Sequence, residues 1–146
     1  MNFVVRQTTI QLMNQLKQIK SCISVWNNRL QRFEVEMGKK RLQMESKQDA
    51  YEQSIAVADA AEQEGRVELQ ILSDRIQERS FLMEELTRCF AEENKIRQHI
   101  ATNKQEIKQY KQAWDRAQQD YEASRQDVSK ALRKLEKYQL ISSTLG

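Results

Sequence analysis

Hydrolysis or group transfer needs a nucleophile beside a base, a metal cluster or a phosphate cradle. The first residues to weigh are therefore the single histidine, the two cysteines and the acidic pairs. His99 is the only imidazole among 146 residues, so any Cys-His or Ser-His dyad has to use it, and a solitary histidine on a helix reads as a solvated side chain. Cys22 and Cys89 have neither CxxC spacing nor histidine company, which argues against a zinc site and against a secreted disulfide framework. Glu84-Glu85 and Glu92-Glu93 resemble carboxylate clusters, but without a Glu-x-x-His motif they describe a solvated face rather than a di-metal site. No glycine-rich loop occurs. The expectation is a protein that is not an enzyme, with no catalytic residue, no metal ligand and no cofactor.

Trp26, Tyr51, Tyr110, Trp114, Tyr121 and Tyr138, interleaved with Lys104, Lys108 and Lys111, offer a second chemistry, the stacking of single-stranded nucleic acid bases. All six aromatic residues fall on or beside the apolar seams described below, so packing between helices accounts for them. The 24 basic and 21 acidic residues leave a net charge of only +3, and the two signs are interleaved, which again points away from nucleic acid.

The elements that carry these residues follow from what the sequence lacks. It has no proline and three glycines, Gly38, Gly65 and Gly146. Folds with many strands need frequent turn residues, so sandwiches, barrels and α/β enzymes are excluded and long helices remain. A charged fraction of 31% against 39% apolar residues suits helices that bury one narrow stripe. No stretch is apolar enough to span a membrane, and Phe3-Val4-Val5 is too short for a signal-peptide core. A cytoplasmic protein is expected.

Leu12, Leu16, Ile19, Ile23, Trp26, Leu30, Phe33 and Met37 step by 4 and 3, with Val5 one heptad before Leu12, which is a coiled-coil seam. Beyond Met37 the register meets Lys40 and Lys47, so looser packing or a register shift is expected there. A second seam runs through Ile96, Ile100, Ile107, Tyr110, Trp114, Ala117, Tyr121, Val128, Ala131, Leu135 and Tyr138, with Asn103 and Ser124 filling its gaps. The stretch before it, Leu69, Leu72, Ile76, Met83, Leu86 and Phe90, is one position out of phase, which predicts a stammer near Glu92-Glu93. Between the seams Gly65 stands beside small residues, and a glycine there would supply the left-handed residue that ends a helix.

The expected fold is all-α: a long antiparallel two-helix coiled-coil hairpin, one domain over 1–146. Helix one spans about 3–62, the turn about 63–66 and helix two about 67–141. Facing residue numbers would sum to about 130, pairing Leu30 with Ile100, Ile23 with Ile107 and Leu16 with Trp114, and setting Cys22 near Lys108 and Cys89 near Arg41. Helix one would be about 90 Å long. Residues after about 129 would then project without a partner, exposing an apolar stripe beside Lys130, Arg133, Lys134 and Lys137. Near the turn Leu69, Ile71, Leu72 and Ile76, followed by Phe81, Leu82 and Met83, exceed what one seam can cover, so this tip is a second expected contact surface.

The run Ala131-Leu132-Arg133-Lys134-Leu135-Glu136-Lys137-Tyr138 resembles the YscO/FliJ family of central-stalk proteins of bacterial type III secretion, in which an Arg-Lys pair is followed by Glu-Lys and an aromatic or aliphatic residue. Length, periodicity and hairpin layout match across the whole chain, whereas the tail after Tyr138 lacks the charged run often seen at family C-termini. The resemblance implies a stalk inserted in a hexameric secretion ATPase, reaching toward an export-gate membrane protein at the inner face of the bacterial inner membrane, and contacting secretion chaperones. It implies a monomer without direct membrane insertion. Lys130, Arg133, Lys134 and Lys137 become ATPase-contact candidates, and Leu69, Ile71, Leu72 and Ile76 export-gate or chaperone candidates. The alternative is a structural adaptor or tether that dimerises through Leu12 to Met37.

Overall fold

In the computed structural model the chain is two long helices, α1 (Asn2–Glu78) and α2 (Met83–Leu145). They pack against each other as a two-helix hairpin, with no strand among the described residues. The structure describes residues 2–78 and 82–146, with side chains from Val4 onward. Phe81 of the expected tip lies outside them. Two compact units make up the pair of helices, one the chain up to Gln43 together with Gln118–Gly146, the other Met44–Ala117.

The reversal does not fall at 63–66. The first helix runs through Gly65 to Glu78 and the second starts at Met83, instead of helices over 3–62 and 67–141. Gly65 has no positive φ, so it does not act as a left-handed cap. It is a buried position of the seam, where a Cβ would stand 2.6 Å from Ile100 Cδ1 and 3.1 Å from Ile96 Cγ2. The glycine lets the two backbones approach. The charges that flank the reversal fit helix ends: Arg75 lies in the last turn of α1, and Glu84 and Glu85 lie in the first turn of α2, each sign opposing the local helix dipole.

Facing pairs in the second unit fix the register. Tyr51 stacks on Trp114 with centroids 5.4 Å apart, Lys104 Nζ lies 3.5 Å from Glu62 Oε1, and Gly65 meets Ile100. These residue numbers sum to 165 or 166, not 130. The expected partners change accordingly, with Ile100 against Gly65 and Trp114 against Tyr51. Cys89 lines a groove with Leu69, Leu72 and Ile76 rather than lying near Arg41.

On α1 the heptad steps Leu16, Ile23, Leu30, Met37, Met44, Tyr51, Ala58, Gly65 and Leu72 are all buried or half-buried, and Lys40 is half-buried, but the intervening step then moves from exposed Lys47 to half-buried Gln48, the register shift expected beyond Met37. On α2 the covered steps include Leu86, Cys89, Glu93, Ile96, Ile100, Asn103 and Ile107, with no stammer near Glu92-Glu93. Phe90, which the apolar pattern placed on the seam, is exposed. The seam position beside it is Cys89 and the next is Glu93, whose Oε1 accepts bonds of 3.0 and 2.9 Å from Arg97 Nε and Nη2. That neighbouring guanidinium is what lets a carboxylate sit there.

Candidate functional site

The unpartnered end expected on α2 is covered. Ala131 is 0% and Leu135 5% exposed, Ser124 is buried, and Tyr138 and Ile141 are half-buried. With α1 continuing to Glu78 and α2 starting at Met83, the end of α2 lies back alongside α1. Lys130, Arg133, Lys134 and Lys137 remain exposed on the outer side of this covered stretch, with Arg133 Nη2 donating to Ser129 Oγ at 3.4 Å. The structure thus brings the four cations together and covers part of the apolar stripe that was to accompany them, at Ala131, Leu135, Tyr138 and Ile141, while Leu132 and Leu140 stay exposed beside the cations.

The open seam lies instead on α1. Every residue from Val4 to Gln15 is exposed, and Leu16 is the first covered position. Val5 is 64% and Leu12 46% exposed, although both belong to the seam that α2 covers further along. The Oγ1 atoms of Thr8 and Thr9 donate to the Val4 and Val5 carbonyls at 2.9 and 2.8 Å, so both hydroxyls are satisfied within the helix.

The four apolar candidates near the reversal separate. Leu72 is 7% exposed and belongs to the core, so it is no surface contact. Leu69 and Ile76 are half-buried and share the groove that also holds Ser73, Gln77, Cys89, Glu93 and Arg97. Ile71 alone points outward, in company with exposed Val67, Leu82, Met83 and Phe90.

At mid-length Tyr51 and Trp114 pack on each other, half-buried, whereas Tyr110 is exposed. Lys111 Nζ lies 4.6 Å from the Trp114 ring centroid and 5.4 Å from that of Tyr51, a cation over two stacked rings. The Trp114 Nε1 hydrogen is buried without an acceptor. Trp26 carries Arg29 at 4.7 Å. His99 Nε2 lies 3.4 Å from Asn103 Nδ2. Among the described residues no group of three or more His, Cys, Asp or Glu side chains is placed to hold a metal ion, and no helix is long and apolar enough to cross a membrane.

What these surfaces can do is bind. Cations on a half-covered helix present charge with exposed Leu132 and Leu140 beside them, whereas the α1 seam presents apolar steps whose neighbouring Thr8 and Thr9 hydroxyls are already satisfied. Comparison of the chain with protein-family models, with curated proteins and with solved structures finds no match.

Proposed function

We propose that this chain is a non-catalytic helical stalk, a monomeric hairpin that docks in a hexameric secretion ATPase of the type III kind and couples it to an export-gate membrane protein. The observation that carries the reading is the four-cation face Lys130, Arg133, Lys134 and Lys137, exposed on a helix whose opposite side is buried by its own partner. Such a face is held rigid by the hairpin beneath it and meets an acidic or polar bore through charge, without melting or inserting side chains. The tether alternative loses its main surface, because the seam from Leu16 to Met37 is covered within the chain itself. Near the reversal, exposed Ile71, Leu82 and Met83 are the apolar groups free to meet a gate or a chaperone.

The test mixes the full chain with the hexameric ATPase and measures ATP hydrolysis. Reversal of all four charges to glutamate is expected to abolish stimulation while leaving helicity and the thermal midpoint intact. Stimulation that survives the reversal would remove this reading.

A further inference from the structure

The covered seam of α1 continues past its cover. Stepping back from Leu16 in the same register gives Leu12, Thr9 and Val5, a spacing of 4 and 3 that matches the paired stretch beyond. All three are exposed, and the Thr9 hydroxyl is satisfied by the Val5 carbonyl. An apolar seam contiguous with a packed one, and carrying no unsatisfied polar group, is shaped for another helix.

Charge selects which helix. With 3.6 residues per turn, Arg6, Met13, Lys17 and Lys20 fall along one edge of the seam and Thr8, Gln11, Gln15 and Gln18 along the other. No acidic residue occurs between Met1 and Phe33; the first is Glu34. A second copy of this chain is therefore a poor occupant. Laid antiparallel on the seam it sets Arg6 against Lys20 of its twin, and laid parallel it sets both against Thr and Gln, so neither arrangement supplies a counter-charge. A lipid surface fits less well than a helix. Interfacial helices spread bulky apolar side chains over one broad continuous face, whereas the exposed apolar residues outside the seam here, Val4, Ile10 and Met13, lie on both sides of it and are separated by Arg6, Gln7, Gln11 and Asn14.

We propose that residues 4–20 of α1 form a docking seam for one acidic amphipathic helix of a partner protein. It lays an apolar stripe on Val5, Thr9, Leu12 and Leu16 and sets Glu or Asp beside Arg6, Lys17 and Lys20. Apolar steps give the contact its hold, and the one-sided cationic edge gives its partner choice and orientation. The inference does not depend on the secretion reading, since any protein that carries such a helix satisfies it.

The test uses the full chain and two fluorescent synthetic peptides of about three heptads, both with Ile and Leu on the seam, one with Glu and one with Lys at the flanking positions. The Glu peptide is expected to bind about tenfold more tightly than the Lys peptide, with affinity falling as salt rises. Arg6→Glu with Lys17→Glu and Lys20→Glu should reverse that order. Leu12→Glu should abolish binding of both while the thermal midpoint of the hairpin stays unchanged. Equal binding of the two peptides overturns the proposal, as does Glu-peptide binding that survives Leu12→Glu, which would place it on the Lys130–Lys137 face. Dimerisation of the chain that Leu12→Glu removes would make a second copy the occupant. Retention on phosphatidylserine vesicles without discrimination between the peptides would make it a membrane.

Discussion

Val5, Thr9 and Leu12 on α1 and Ala131, Leu135 and Tyr138 on α2 occupy equivalent steps of a heptad, yet the first set is open to solvent and the second is buried or half-buried. Local pattern does not separate them. What separates them is the distance of each from the reversal, because an antiparallel pair leaves single whichever arm is longer. A turn at Gly65 would free the end of α2, whereas the observed reversal between Glu78 and Met83 covers it and frees the start of α1. Coverage along a hairpin is thus a global property, set by one local event far away.

The contrast can be broken from either side. The largest effect is expected for Ala131→Glu, which buries an unpaired carboxylate at a 0% exposed position and should cost about 3 kcal/mol or more. The same residue introduced at exposed Thr9 should be nearly silent in denaturant unfolding followed by circular dichroism. Leu135→Ala comes next. Loss of a buried leucine is expected to cost about 2 kcal/mol or more, while Leu12→Ala at the open end should stay within about 0.5 kcal/mol. Equal costs at Leu135 and Leu12 would mean that α2 does not cover the one and spare the other.

The glycines sharpen the same comparison in the register itself. Gly65→Leu drives a side chain into Ile100 and Ile96 and should destabilise by about 1–3 kcal/mol. Gly38 has nothing within 4 Å of an added Cβ, so Gly38→Ala should stabilise the helix by about 1 kcal/mol. A reversal at Gly65 would also make that position intolerant, but for its backbone angle rather than for its neighbours. The smallest effect belongs to Glu62→Gln, which removes the partner of Lys104 and Arg66; a partly exposed pair of this kind is worth about 0.5 kcal/mol or less.

Much of the architecture was legible in the residues. The absence of proline, the scarcity of glycine and the 4 and 3 spacing were enough for two long antiparallel helices. The second seam from Ile96 to Tyr138 was read correctly except at Tyr110, which is 42% exposed, and Asn103 and Ser124 are covered as filling residues. The reversal was misread because glycine was weighed as a helix stop, whereas here its missing side chain serves close packing against Ile100. Two patterns pointed to the right place. Steps of seven from Leu16 pass through Gly65 to Leu72 without a break, and Arg75 followed by Glu84-Glu85 carries the charge signature of one helix ending and another beginning. The apparent stammer had a similar cause: Phe90 looked like the seam residue because it is apolar, while the true steps are Cys89 and then Glu93, the latter made tolerable by Arg97. The open seam at Val5 to Leu12 was visible as a pattern, but its exposure depended on the turn and could not be read before it.

The register carries every other conclusion, and one distance tests it most directly. Spin labels at Glu62→Cys and Lys104→Cys, in a chain with Cys22→Ser and Cys89→Ser, report it by double electron–electron resonance. The observed pairing, with Lys104 Nζ 3.5 Å from Glu62 Oε1, predicts a single short separation, below about 25 Å once label arms are added to the spacing of packed helices. A separation near 55 Å is what a reversal at Gly65 requires at 1.5 Å per residue, and finding it would contradict the register, the covered α2 end and the open α1 seam together.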